Sequence, residues 1–197
     1  MKSIYLTTSV ALLLVVVAIT PSMADVYSKE FPGKGSKQAF ESSKEMVRKG
    51  MELAKSGKLA EAELEYRKAI ATYPHFAITH FDLGKALYEQ KKVAEAEAEM
   101  QTAVQLEPKL YDGWYSLGVV YEDLKKLDKA ESSYRKAISI KPDYFDSMFN
   151  LALLLKGNGK LDESETLFKS AASLNVPQSD KDDVAKELKK IAAQRKK

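Results

Sequence analysis

The chain has no cysteine in 197 residues. That absence excludes disulfides, a thiolate nucleophile and any cysteine-bound metal. Histidine is nearly as scarce: only His75 and His80 occur, and they straddle an expected helix boundary, which is poor placement for a metal pair. Charge is close to balanced, with 31 basic and 28 acidic residues for a net +3. So weak a balance predicts no nucleic acid partner. There is no phosphate-binding glycine loop, no HExxH and no GxSxG. Carboxylate pairs such as Glu97 with Glu99, or Asp182 with Asp183, lie among polar residues and read as solvated rather than as acid–base partners. These gaps predict a protein that is not an enzyme, with no cofactor and no metal site.

What is present begins with the N-terminus. Lys2 precedes an apolar run from Val10 to Ile19, then Pro21 and the tripeptide Ser22-Met23-Ala24. A short basic start, a short apolar core and small residues before a cleavage point are the pattern of a signal peptide spanning 1–24, with maturation before Asp25. The run is short for a membrane span, which needs about 20 apolar residues. An uncleaved anchor remains the alternative, and only in that case does the protein touch a membrane. Both readings predict export, to a bacterial periplasm or beyond. Residues 25–42 follow as a leader, with Pro32, Gly33 and Gly35; Gln38, Ala39 and Phe40 are expected to extend the first helix backwards.

The pentapeptide YRKAI occurs at Tyr66 and again at Tyr134, 68 residues apart. Half that distance locates further copies, at Met100 and Phe168, and Pro74, Pro108 and Pro142 are each 34 apart. Four units result, 43–76, 77–110, 111–144 and 145–178, with the fourth proline slipped to Pro177. The eighth position is always small (Gly50, Gly84, Gly118, Ala152) and the twenty-fourth always large (Tyr66, Met100, Tyr134, Phe168). The twenty-seventh is alanine throughout: Ala69, Ala103, Ala137 and Ala171. Apolar spacings of three and four predict two helices per unit, joined by the polar turns KSGKL, EQKKV, DLKKL and GNGKL. A fixed period of this kind marks stacked units that cannot bury a core alone. The remaining 179–197 read as a capping helix with a basic tail, Ser179 at its N-cap and Val184, Leu188 and Ile191 as its apolar stripe.

The third unit resembles the tetratricopeptide repeat through Trp114, Leu117, Gly118, Tyr121, Ala130, Tyr134, Ala137 and Pro142. The other units match less fully: Lys49 replaces an aliphatic residue, His80 stands where Trp114 does, and Ala152 replaces a glycine. The resemblance covers about residues 43–178. It implies an all-α, helical-hairpin repeat solenoid, a right-handed superhelix of four repeats plus a C-terminal capping helix. It also implies a protein-binding role.

In that family the second stripe of each first helix lines a concave groove. Here this places Phe81, Lys85, Tyr88 and Glu89; then Asp112, Tyr115, Val119, Glu122 and Asp123; then Asp146, Phe149 and Leu153 in a peptide-binding groove. Phe81, Tyr115 and Phe149 share the fifth position of their units and are expected as exposed anchors, with packing between helices as the other reading. Five acids (Glu89, Asp112, Glu122, Asp123, Asp146) face two lysines, Lys85 and Lys156, so an apolar and basic peptide of an envelope protein is the expected partner. The lysine-and-asparagine clamp that some family members use on a C-terminal carboxylate is absent. Assembly of the repeats into a homo-oligomer or scaffold is the alternative.

Overall fold

A computed structural model describes residues 35–195. Regular structure among them is helical: α1 (Lys37–Lys55), α2 (Leu59–Thr72), α3 (Ala77–Glu89), α4 (Val93–Leu106), α5 (Tyr111–Asp123), α6 (Leu127–Ile140), α7 (Phe145–Gly157), α8 (Leu161–Ala172) and α9 (Gln178–Gln194). Hairpins α1/α2, α3/α4, α5/α6 and α7/α8 stack in chain order, and α9 packs on α8. This is the all-α repeat solenoid expected from the 34-residue period. The expected signal peptide, leader residues up to 34 and last two lysines lie outside the described residues.

Each hairpin closes on one size-matched contact. A Cβ added to Gly118 would lie 2.5 Å from Cε1 of Tyr134; at Gly50 it would lie 2.6 Å from Cε1 of Tyr66, and at Gly84 2.7 Å from Cγ of Met100. The glycine lets the facing ring or thioether lie directly on helix backbone. In the fourth hairpin Ala152 and Phe168 occupy the same positions, and both are fully buried. Ala62, Ala96 and Ala130 are likewise completely buried, and Ser164 takes their place in the last unit with its hydroxyl donating to the Ala152 carbonyl at 2.6 Å.

The turns inside the hairpins repeat atom for atom. Lys58, Lys92, Lys126 and Lys160 each donate a backbone N–H to the carbonyl five residues back, at 2.9, 2.9, 2.8 and 2.9 Å. The preceding residue has positive φ in every case: Gly57 at 76°, Lys91 at 65°, Lys125 at 59° and Gly159 at 76°. That is the left-handed residue which closes a helix C-terminus and satisfies its carbonyls. Units two and three place lysine there, against the usual preference for glycine.

Between units, the second helices stop at Thr72, Leu106 and Ile140. Each is followed by an extended or non-helical residue and then proline, as the restricted residue before proline requires. The stack is also stitched across units. Trp114 donates from Nε1 to the Pro108 carbonyl at 3.0 Å. His80, at the equivalent position, donates from Nε2 to the Pro74 carbonyl at 3.0 Å and places Nδ1 2.7 Å from Glu99. His80 therefore does the work of the missing tryptophan.

At the N-terminal end Phe40 is 1% exposed, edge-on to Tyr73 and Phe76 at 5.2 Å each. At the C-terminal end Val184 and Ile191 of α9 are buried against the last hairpin. The N-cap expected at Ser179 is corrected: α9 starts at Gln178 after Pro177, and the Ser179 hydroxyl meets Asp180 inside the first turn.

Replacing Gly118 with leucine is expected to destabilise the fold by about 1–3 kcal/mol or more, because Tyr134 is fully enclosed and cannot retreat. Lys136→Leu, on an exposed position, is expected to change stability by less than about 0.5 kcal/mol. Paired thermal melts check both; equal effects would contradict this register.

Candidate functional site

The two sides of the stack are held differently. First helices of successive units touch directly, α1 with α3 and α3 with α5. Their side chains bond one another: Tyr88 Oη donates to Asp123 Oδ2 at 2.5 Å, and Asn150 Nδ2 donates to Tyr115 Oη at 3.4 Å. Second helices are instead spanned by long ion pairs. Direct contact on one side and bridging on the other bends the stack, with the first helices inside.

Outside, the charges form a periodic ladder. Lys92, Lys126 and Lys160 reach back to Glu63, Glu97 and Glu131 of the preceding unit at 2.8, 2.6 and 3.0 Å. Arg67 and Arg135 reach forward to Glu95 and Glu163 at 2.8 and 2.5 Å. The next equivalent glutamate, Glu165, has no fifth repeat beyond it, and Arg195 at the end of α9 pairs with it at 2.9 Å. Although burial opposes it, hydrogen bonds from Lys92, Arg67 and Gln90 hold Glu63 down to about 2.

The inner face carries carboxylates without such partners. No described lysine or arginine lies within ion-pair distance of Glu89, Glu122, Asp123 or Asp146. Glu122 accepts a hydrogen bond from Tyr134 Oη at 2.7 Å and Asp123 one from Tyr88. Burial pushes Glu122 above the usual carboxylate range; the Tyr134 hydrogen bond and Lys125 pull it down, while Asp123 pushes it up. Asp146 is raised by burial and then by Asp180 and Asp112, against Lys141. Glu63, Glu97 and Glu131 on the outer side are thus paired with cations, while Glu89, Glu122, Asp123 and Asp146 have no described lysine or arginine at ion-pair distance.

The structure corrects part of the expected groove. Phe81 is 3% exposed and Asp112 is 8% exposed. Both sink between helices, so Phe81 is core and not an open anchor. Tyr115 and Phe149 are half-buried: Tyr115 packs on Tyr134 and Tyr144 at 6.0 and 5.4 Å, and Phe149 on Phe145 and Phe168 at 5.6 and 5.5 Å. The reason is geometric. Where first helices touch, the second and fifth positions face the seam between neighbours, not the open side. The stripe continues through the ninth, twelfth and thirteenth positions, of which the thirteenth is exposed and the other two are half-buried. These are Lys85, Tyr88 and Glu89 on α3; Val119, Glu122 and Asp123 on α5; Leu153, Lys156 and Gly157 on α7. Lys156 is taken by Glu187 of α9, and Lys85 lies over the Phe81 ring at 5.3 Å.

Three participants escaped the sequence reading. Tyr134 reads as packing, yet its buried hydroxyl donates to Glu122. Asn150 and Glu187 gave no signal, since neither sits at a repeated motif position. The difference at the twenty-fourth position, tyrosine in two units and Met100 or Phe168 in the others, was the one available clue.

Tetratricopeptide repeat models match residues 47–111, 111–144 and 133–166. No curated protein matches the chain. Among solved structures, one of MamA is 26% identical, with 73% of this chain and 81% of that one covered and a TM-score of 0.64. MamA from Desulfovibrio magneticus RS-1 is 19% identical over 67% of this chain and 75% of that one, with a TM-score of 0.62. The first repeat domain of Spaghetti (RPAP3), bound to an HSP90 peptide, is 23% identical over 63% and 96%, with a TM-score of 0.59. The last two show likeness of fold.

The contrast between faces has a pH signature. Glu122 has a raised value when folded, so its ionised form costs stability at neutral pH, and that cost disappears as pH falls through the raised value. Glu122→Gln is expected to melt at or above the wild-type temperature at neutral pH, with the difference closing in acid. Glu63 has a lowered value, so its contribution is present above the ordinary carboxylate range and is lost as pH falls towards about 2. Glu63→Gln is expected to melt lower at neutral pH, again converging in acid. Melts across the pH range check both signs.

Proposed function

This chain belongs to the tetratricopeptide repeat family, and we propose that it is an exported adaptor whose inner face holds a peptide segment of another envelope protein. The family is a protein-interaction module. The observation that carries the finer reading is the asymmetry of charge: the outer Glu63, Glu97 and Glu131 are paired with lysine or arginine, while Glu89, Glu122 and Asp123 on the inner stripe are not. Glu122 is half-buried and Glu89 and Asp123 are exposed; none has a cation beside it, and a ligand that brings cations gains from all three. Tyr88, Val119 and Leu153 beside them supply apolar contact area. The partner is therefore a segment with both apolar and basic side chains.

Self-assembly is the second candidate. An end-to-end stack needs an apolar terminal face, and both described ends turn charge outward. The outer side of α1 carries the Glu45–Arg48–Glu52 ladder, and that of α9 carries exposed Lys186 and Lys189. This favours a bound segment over an open-ended stack.

Crosslinked capture from the cell envelope tests the reading. The Glu122→Lys, Asp123→Lys double variant is expected to lose the partner that wild type captures, and wild-type capture is expected to weaken with added salt. Lys136→Glu, on the outer side, is expected to retain it. Equal capture by all three proteins would place the partner on another face. Export rests on the Lys2 start, the Val10–Ile19 run and the small residues at Ser22 and Ala24. N-terminal sequencing is expected to find Asp25 first; an intact Met1 in the cytosol would rule export out.

A further inference from the structure

The four turns inside the hairpins share one geometry but not one chemistry. Their sequences are Ser56-Gly57-Lys58, Gln90-Lys91-Lys92, Leu124-Lys125-Lys126 and Asn158-Gly159-Lys160. The fourth alone places asparagine before glycine. The side-chain carbonyl carbon of an asparagine can close a five-membered ring with the nitrogen of the next residue, and a glycine there has no side chain to block the approach. Asn158 and both its neighbours, Gly157 and Gly159, are exposed. A Cβ on either glycine would meet nothing within 4 Å, so the turn has room to rearrange. Glycine is also a poor helix former, and Gly157 is the last residue of α7. This turn is therefore held less firmly than those that follow Lys55, Glu89 and Asp123. The other two asparagines lack the combination. Asn150 lies inside α7 with its amide donating to Tyr115 Oη, and Asn175 is followed by the β-branched Val176.

We propose that Asn158 is a self-modifying site, and that its conversion to isoaspartate loosens the fourth hairpin and the α9 cap. The backbone nitrogen of Gly159 gives its proton to hydroxide and attacks Cγ of Asn158. The N–Cγ bond forms, the Cγ–Nδ2 bond breaks, and Nδ2 leaves as ammonia with a proton from water. Water then opens the resulting succinimide. Addition at Cγ gives aspartate; addition at the backbone carbonyl carbon gives isoaspartate, whose chain runs through Cβ and Cγ. The balance is one water in and one ammonia out, with no oxidation. In the closed turn the reaction is held back. The ψ of Asn158 is 6°, which turns the Gly159 nitrogen away from the side chain, and the Gly159 N–H donates to the Lys156 carbonyl at 3.1 Å. Attack therefore waits for the turn to open, as helix ends do. The product cannot close the turn in the same way. One extra backbone atom precedes the Gly159 nitrogen, upstream of the Lys160 N–H that donates to the Leu155 carbonyl at 2.9 Å. A carboxylate also appears at the negative, C-terminal end of α7. Lys156, two residues before the site, holds Glu187 of α9. The last hairpin and α9 share an apolar cluster of their own, built on Met148, Ala152, Phe168, Ala171, Val184 and Ile191. Loosening is thereby confined to the C-terminal end of the stack.

The test ages the purified chain in mildly alkaline buffer and localises each change by peptide mass spectrometry. Labelling by an isoaspartyl methyltransferase is the second readout. Asn158 is expected to gain about one mass unit and its peptide to accept the methyl label, while Asn150 and Asn175 stay unchanged. Asn158→Ser copies the first turn, whose Gly57 has the same φ of 76° as Gly159, and is expected to fold and to stay unmodified. Aged wild type is expected to melt about 2–4 °C below fresh protein and to lose α9 sooner to limited proteolysis. Aged Asn158→Ser is expected to match its own fresh sample in both. An intact Asn158 after ageing overturns the proposal, and so does change at Asn150 or Asn175 at an equal rate. Modification of Asn158 with unchanged melting and unchanged α9 cleavage overturns the loosening. Equal rates in the folded chain and in urea overturn the control by turn opening.

Discussion

The hairpins depend on a single steric constraint: a glycine, or at most an alanine, on the first helix must face a large residue on the second. Gly118 against Tyr134 is the clearest case, with space for no additional carbon. Because the helices approach this closely, the tyrosine ring lies against the backbone of the first helix and is fully buried. Its buried hydroxyl donates to Glu122 of the first helix. One contact therefore sets the interhelix distance, fills the core and delivers a hydrogen-bond donor to Glu122. Tyr66 in the first hairpin is built the same way, and the field of Asp82 and Glu89 reaches it.

Curvature and charge are consequences of stacking such hairpins. Close first helices leave room only for short bonds such as Tyr88 to Asp123. More distant second helices leave gaps that lysine and arginine are long enough to cross. The cations accordingly collect outside, where exposed pairs individually contribute little but the ladder holds the units in register. Glu122 and Asp123 instead accept from tyrosine hydroxyls, which satisfy a hydrogen bond without neutralising a charge. At Glu122 that arrangement costs stability, since burial raises its pKa.

The ends of the stack show how the repeats are terminated. Phe40 extends the first apolar face and lies under Tyr73 and Phe76. At the other end α9 imitates the next repeat three times over. Its Val184 and Ile191 bury the last hairpin, its Glu187 takes Lys156, and its Arg195 takes the Glu165 that a further lysine would have bridged. Capping is thus electrostatic as well as apolar.

The sequence alone determined the repeat, the helix count per unit, the turn sites and the small-against-large pairing. All of these follow from local periodicity, because a helix face is defined by residues three and four apart. It also determined that acids outnumber bases on one stripe. Only the tertiary structure decided which part of that stripe is open. Helical phase places Phe81, Tyr115 and Phe149 on a common side but cannot say how near the next helix stands. The neighbour proved close enough to bury Phe81 and Asp112 and to half-cover the other two rings. The pairing of Lys156 with Glu187, and the arrival of the Tyr134 hydroxyl at Glu122, were equally invisible beforehand. Each joins elements whose distance is fixed by packing between helices, and no spacing along the chain encodes that distance.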